Sequence, residues 1–116
     1  MAYDEGLAQM LRDDLADHPF REQKMFGGIA FMLAGNMVCG AYSGGAMFRV
    51  GKDRMAAALA LPGVAQMMMG GRPMSVMAEC SPETAADDGL RGALMRLALD
   101  CVAELPPKVA KARKTR

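Results

Sequence analysis

The sequence predicts an α+β domain: a two-layer fold with a mainly antiparallel sheet of five to six strands and helices at the N-terminus, middle and C-terminus. Three observations predict this class. Apolar residues recur at helical spacing near both ends of the chain, short apolar runs fill the middle, and glycine-containing turn signals separate those runs. Strands joined by short turns pair antiparallel, because a parallel connection needs a crossover of about a dozen residues or more.

The first helix is indicated by an apolar stripe that continues for about four turns. Asp4 and Glu5 lie in its first turn, where the helix dipole favours acidic side chains, and Pro19 requires the helix to end soon after Asp17. The stripe consists of Tyr3, Leu7, Met10, Leu11 and Leu15.

Residues 22–50 read as three or four consecutive strands. Gly35-Asn36 is a two-residue hairpin signal, Ser43-Gly44-Gly45 is a second turn, and Gly27-Gly28 is expected to form a bend or bulge. The predicted strands are 29–33, 37–42 and 46–50, preceded by a short one at 22–26.

The second half of the chain completes the sheet and the helical layer. A short helix is predicted at 52–60, with Gly51 as its cap and Pro62-Gly63 as its stop. The final elements are strands at 64–69 and 74–80 around a loop at 70–73, and a long helix from Ser81-Pro82-Glu83 to Pro106-Pro107.

Charge divides the chain at residue 107, so we expect one domain at 1–107 and a disordered basic tail at 108–116. The first 107 residues hold nine basic and thirteen acidic side chains, a formal charge of about −4. Phosphate affinity comes from Lys and Arg, so any nucleic-acid binding is expected to be weak and to rest on the tail. The basic residues of the tail are Lys108, Lys111, Arg113, Lys114 and Arg116.

The compartment is predicted from what the sequence lacks. The N-terminus, MAYDEG, is acidic and has no apolar signal core, and no apolar run approaches the roughly 20 residues of a membrane span. Cys39, Cys80 and Cys101 are odd in number and widely spaced, which does not suit a disulfide framework. We expect a cytoplasmic protein with free, buried thiols.

The sequence offers no recognisable catalytic site, and we expect no catalytic residue, cofactor or metal. His18 is the only histidine and lies beside Pro19 in a predicted loop, Ser43 lacks the nucleophile-elbow spacing, and there is no phosphate-binding glycine loop. An alternative is a small-molecule-binding protein or minor enzyme that uses the glycine-rich loops around Cys39 and Arg72.

The thirteen methionines, three of them consecutive at 67–69, admit two interpretations. Thioethers can bind a soft metal such as Cu(I), but methionine is more commonly a filler of irregular cores. The strands are apolar on both faces, with Ala30 and Met32 alternating with Ile29 and Phe31. Helices cover only one face of a two-layer fold, so we expect the second face to bind a protein partner or another copy of the chain.

Several stretches together resemble the N-terminal domain of the TfoX/Sxy family of bacterial competence regulators, over residues 1–108. They are MAYDEGLAQMLRDDL, KMFGGIAFMLAGNMVCGAY, FRVG, GRPM and LPPK. The most specific parts are K-M-F-G-G and G-N-M-x-C-G. The fold markers, with a possible interaction role, are Lys24, Met25, Phe26, Gly27, Gly28, Gly35, Asn36, Cys39, Gly40 and Arg72.

The resemblance implies an antiparallel α+β fold like that of secretion chaperones, in a bacterial cytoplasmic protein. It also implies a non-enzymatic regulatory module, because family members linked to competence act as coactivators alongside the cyclic-AMP receptor protein. Two-domain members carry a further helical domain, so this chain reads as a single-domain member that works through protein partners.

Overall fold

A computed structural model describes residues 3–25 and 27–106. The helices are α1 (Glu5–Asp14), α2 (Met55–Leu59), α3 (Pro82–Ala85) and α4 (Asp88–Ala103), with a 3-10 turn at Lys52–Arg54 leading into α2. The strands are β1 (Arg21–Met25), β2 (Gly28–Leu33), β3 (Asn36–Tyr42), β4 (Gly45–Arg49), β5 (Val64–Met69) and β6 (Arg72–Cys80). None of the helices in these two ranges is long and apolar enough to cross a membrane.

The six strands form one sheet in the order β1-β2-β3-β4-β6-β5, and every neighbouring pair is antiparallel. The chain leaves β4, crosses through α2 and returns by the β5–β6 hairpin, so that β6 pairs with β4 and β5 becomes the outer strand. This arrangement confirms the predicted α+β class and the upper end of the predicted strand count.

All four helices pack on the same face of the sheet, which makes two layers. α4 contacts the central strands β3 and β4, α1 contacts β3, and α2 contacts β5 and β6. The core between the layers is closed to solvent, since its largest side chains have at most 1% of their surface exposed. They include Leu11, Leu15, Ile29, Phe31, Phe48 and Leu94. The other face of the sheet has no helix over it within the described residues and is called the open face below.

The turn between β2 and β3 is displaced by one residue from the predicted Gly35-Asn36. Its central residues are Ala34 and Gly35, with φ of 51° and 82°, and Leu33 pairs with Asn36. Two positive φ angles are what a type I′ turn requires, and this turn matches the twist of the flanking strands. Asn36 is instead buried, and its amide nitrogen donates a 3.0 Å hydrogen bond to the carbonyl of Pro106.

The prediction of one continuous C-terminal helix was wrong, because two caps divide it into α3 and α4. The Ser81 hydroxyl accepts from the Thr84 N–H at 3.2 Å, and the Asp87 carboxylate accepts from the Leu90 N–H at 3.0 Å. Asp87 has an extended backbone, as an N-cap residue does. A new helix therefore begins at Asp88 instead of one helix continuing from Pro82.

The predicted loop at 70–73 is only the two-residue turn Gly70-Gly71, with φ of 60° and 80°. Arg72 and Pro73 already belong to β6. β4 pairs with β6 only from Met77 onward in the ladder, so the first residues of β6 have a strand neighbour on one side alone. A proline, which lacks an N–H, is tolerated at such a position.

One buried arginine ties α4 to α1. Arg91 has 7% of its surface exposed, and its guanidinium donates to Asp14 at 2.7 and 3.4 Å, to Asp88 at 2.9 Å and to the Ala85 carbonyl at 3.0 Å. A buried guanidinium needs this many acceptors because its removal from water is costly. The cluster fixes how the first helix meets the last one.

Candidate functional site

The open face carries a groove of about 360 Å³ that is almost entirely apolar. Its lining comes from all six strands and alternates along them with the core residues, as strand geometry requires. Gly28, Tyr42 and seven methionines form the lining: Met25, Met37, Met47, Met67, Met69, Met74 and Met77. We call it the methionine groove.

Glycine makes the floor of this groove. A Cβ at Gly40 would lie 2.7 Å from the Ile29 carbonyl oxygen and 2.7 Å from the terminal methyl of Met47, with the methyl of Met37 at 3.3 Å. The two methionine side chains therefore lie across Gly40, in space that a larger residue would fill. At Gly28, a Cβ would lie 2.5 Å from the Ala41 carbonyl oxygen, so this position too has no room for a side chain.

Tyr42 supplies the one hydroxyl among the lining residues, and that hydroxyl is already engaged. It donates a hydrogen bond to the Glu79 carboxylate on β6, and Glu79 is in register with Met47. Burial, and then the hydrogen bond to Glu79, raise the pKa of Tyr42 well above its ordinary value. Tyr42 therefore stays a neutral donor at physiological pH, and the groove offers little polar chemistry to a ligand.

Methionine side chains make such a surface adaptable. Each has three rotatable bonds and a polarizable sulfur, which lets it adjust to partners of different shape. Most of the seven are partly exposed, from Met77 at 5% to Met69 at 61%, so the groove is neither a closed core nor fully open. Within the described residues, no group of three or more His, Cys, Asp or Glu side chains could hold a metal ion.

The family assignment comes from a match to the family model described as the TfoX N-terminal domain, over residues 13–101. The chain belongs to this family. None of the curated proteins and none of the solved structures matches it. The family match confirms the resemblance seen in the sequence.

Three separate motif stretches of this TfoX N-terminal domain meet at the methionine groove. K-M-F-G-G provides Met25 and Gly28, G-N-M-V-C-G provides Met37 and the floor glycine Gly40, and G-R-P-M provides Met74. G-R-P-M follows the other two stretches only after β4, α2 and β5 in the chain, and the antiparallel pairing of β3 with β4 and of β4 with β6 brings it to the same groove.

The other predicted motif residues of the TfoX domain have structural positions around the groove. Gly27, with φ of 78°, turns the chain between β1 and β2, and Gly35 forms the next turn. Lys24 is exposed on β1, and Arg72 is exposed at the start of β6, opposite Met69. Asn36 holds the C-terminal segment through Pro106, as described above. Phe26 lies outside the described residues, as do all five basic residues of the tail.

Cys39 lies on the core side of the sheet. It is fully buried, and burial raises the pKa of its thiol well above the ordinary value, so it is not present as a thiolate at neutral pH. Across the sheet, Cys39 on β3 lies beside Phe48 on β4, and Phe48 lies beside Ala78 on β6, so Ala78 marks the level of Cys39 on β6. Arg72 lies six positions from Ala78 along β6, or roughly 20 Å at the rise of a strand. The two residues of the alternative interpretation are therefore not brought together.

Sequence reasoning did not name most of the lining as site residues: Met37, Tyr42, Met47, Met67, Met69, Met74 and Met77. Each was read as part of a strand, and methionine in a strand is commonly core. The available signal was the two-sided apolar pattern, which predicted a contact surface on the second face of the sheet without identifying the residues that form it. Its location depends on strand order, because β5 and β6 reach the groove only through the crossover that follows β4.

Proposed function

We propose that this TfoX N-terminal domain is a non-enzymatic regulatory module that binds a protein partner through the methionine groove. The observation that carries the proposal is the convergence of all three motif stretches on one apolar groove. A groove that offers one engaged hydroxyl is suited to apolar side chains of a protein, whereas a small polar ligand would need several convergent polar groups.

The partner chemistry follows from the groove and its rim. Apolar grooves commonly receive the apolar face of an amphipathic helix, and flexible methionines suit that mode. Arg49 is in register with Met77 and Arg72 is in register with Met69, so each arginine is the strand neighbour of a lining residue. The carboxylate nearest in register, Glu79, is engaged by Tyr42. A helix with an apolar face and acidic flanks fits these features.

The biological setting is proposed from the family. A competence-related coactivator of transcription, acting in the bacterial cytoplasm through a component of the transcription machinery, agrees with a protein-binding groove. The basic tail adds weak, charge-based affinity for nucleic acid in this proposal.

Site-specific photocrosslinking in the host cell tests the proposal. A benzophenone amino acid at position 37 or 47 is expected to form an adduct with one protein of the transcription machinery, whereas the same group at the exposed helix position Arg96 is not. With the purified partner, Met37→Lys and Met47→Lys should each weaken binding at least about tenfold, because a charge enters an apolar interface.

Arg96→Ala, on the helical layer, is the matched control and should bind like the wild type. Circular dichroism spectra of all variants show whether they are folded. Folded Met37→Lys and Met47→Lys proteins that bind the partner with unchanged affinity would refute the role of the groove.

A further inference from the structure

The two edges of the sheet differ in chemistry. β1 is an edge with three charged and exposed residues, Arg21, Glu22 and Lys24. Charges of this kind keep an edge strand from pairing with another chain. β5, at the other edge, reads VAQMMM and has no charged residue and no proline. By this comparison one edge is protected against strand addition and the other is not.

Exposed apolar side chains gather at the unprotected edge. Three large hydrophobic residues of the described chain are exposed: Leu59 at 41%, Met68 at 52% and Met69 at 61%. Met68 and Met69 belong to β5, and Leu59 belongs to α2, which packs on β5 and β6. Scattered exposed hydrophobic residues need no explanation, but a cluster at one edge marks an interaction site.

The backbone of β5 is also available for pairing. The N–H of Val50 donates to the Val76 carbonyl at 2.9 Å, which fixes the phase of the β4–β6 ladder. Hydrogen-bonded pairs alternate along such a ladder, so Ala78 bonds towards β4. Gln66, opposite Ala78, therefore presents its N–H and C=O to the outer edge. A strand can add there by main-chain hydrogen bonds.

We propose that β5 pairs antiparallel with β5 of a second copy of this chain, so that the two sheets become continuous across a two-fold axis. In such an interface the same patch of both copies is in contact. A charged residue near the axis would therefore lie next to the identical charge of the second copy. Residues 64–71, VAQMMMGG, carry no charge, so this edge meets itself without repulsion. The exposed Leu59, Met68 and Met69 lie where the second copy would cover them.

The pairing goes beyond the proposed function and changes its geometry. Met67 and Met69 of β5 line the methionine groove, so a β5–β5′ contact places two grooves next to each other on one surface. A register irregularity between Gln66 and Met68 bends β5, which limits the pairing to part of its six residues. The interface is therefore small, and small protein–protein interfaces bind weakly.

Sedimentation equilibrium of the full chain, from about 1 μM to about 1 mM, tests the proposal across the range where weak association is visible. The wild type is expected to convert from monomer to dimer within this range. Met68→Lys should raise the dimer dissociation constant at least about tenfold, because two lysines would meet near the axis. Met68 is half exposed, so this change is not expected to disturb the core.

Two matched variants locate the contact. Gln23→Lys adds the same charge to the exposed β1 edge, and Met47→Lys adds it to the groove two strands away from β5. Both should dimerise like the wild type. A protein that stays monomeric at all concentrations would overturn the proposal, and so would a dimer broken by Met47→Lys but not by Met68→Lys. Neither outcome bears on the groove's binding of a different protein, which is measured separately with the crosslinked partner.

Discussion

Gly40 is the residue on which the shape of the methionine groove depends. Its place beneath the methyls of Met37 and Met47 leaves no room for even a Cβ, since the Ile29 carbonyl oxygen lies 2.7 Å from that position. Because this oxygen belongs to a central strand, it cannot move aside as a flexible side chain would. The glycine of the G-N-M-V-C-G motif is therefore both a folding requirement and the floor of the site.

Gly40→Ala is expected to destabilise the protein by about 1–3 kcal/mol, the usual range for overpacking. Gly92→Ala is the control. Gly92 lies in the interior of α4, and a Cβ added there would have nothing within 4 Å, so alanine should gain about 0.5–1 kcal/mol from helix propensity. Urea denaturation followed by circular dichroism measures both. A Gly40→Ala variant as stable as the wild type would contradict this prediction, because it would show that β2 and β3 can move apart to admit a Cβ without loss of stability.

The residues of the groove were only partly predictable from the sequence. The motif resemblance named Met25, Gly28 and Gly40, because the motif itself contains them. Tyr42 and Met47 were not named, since their contribution depends on which strands become neighbours. Cys39, on which the alternative interpretation depended, points into the core because side chains alternate along this part of β3, and Gly40 takes the groove side.

Among the elements, the contact between α1 and α4 depends on the Arg91 cluster. Arg91 bonds to Asp14 of α1 in two places, at 2.7 and 3.4 Å, and to Asp88 within its own helix at 2.9 Å. The Asp14 side chain is 25% exposed and that of Asp88 is 91% exposed. Removing one partner of an exposed ion pair changes the free energy of unfolding little, because water screens the charges. Removing one partner of a buried pair costs more, because it leaves a buried charge unpaired.

Asp14→Asn is therefore expected to lower the free energy of unfolding by about 1–3 kcal/mol, because the buried guanidinium loses its charged acceptor on α1. Asp88→Asn is the matched control and should lower it by less than about 1 kcal/mol. Urea denaturation at pH 7 distinguishes them. Equal losses for the two variants would contradict the prediction, because the bond between the helices would then contribute no more to stability than the bond within α4.

The boundaries of helices and strands were harder to predict from the sequence than their presence. Apolar runs and apolar alternation between turn signals located β2 to β6, whereas β1, whose residues are mostly polar and exposed, was predicted from its position before the Gly27-Gly28 bend. The break between α3 and α4 was missed, although Asp87 is a good N-cap residue, since the apolar stripe continues across it. The turn at Ala34-Gly35 was misplaced because alanine rarely adopts positive φ, and here the buried Asn36 is needed one position later.

At the scale of the whole molecule, the fold separates the surface that packs in the core from the surface proposed to bind a partner. The helices cover one face of the sheet, and both the methionine groove and the β5 edge lie outside that covering. This division follows from two-layer architecture, in which a sheet that is apolar on both faces must find a second cover. The domain thus leaves the groove and the adjoining β5 edge, which share Met67 and Met69, open to protein contact.

Charge is also separated along the chain, and this gives the last prediction. Residues 1–107 have a formal charge of about −4, so they should repel duplex DNA, whereas residues 108–116 carry five basic side chains and should attract it. Fluorescence anisotropy with duplex DNA is expected to detect binding by the full chain at low salt and none by residues 1–107.

With at most five phosphate contacts, the slope of log K against log salt concentration should be no steeper than about −4.5. A variant with the five basic residues of the tail changed to glutamine keeps the chain length and should behave like the truncated protein. Binding by residues 1–107 alone would contradict the prediction, because it would require a nucleic-acid surface within an acidic body. Binding by the full chain that is indifferent to salt would contradict it as well, since release of counterions is the source of the expected affinity.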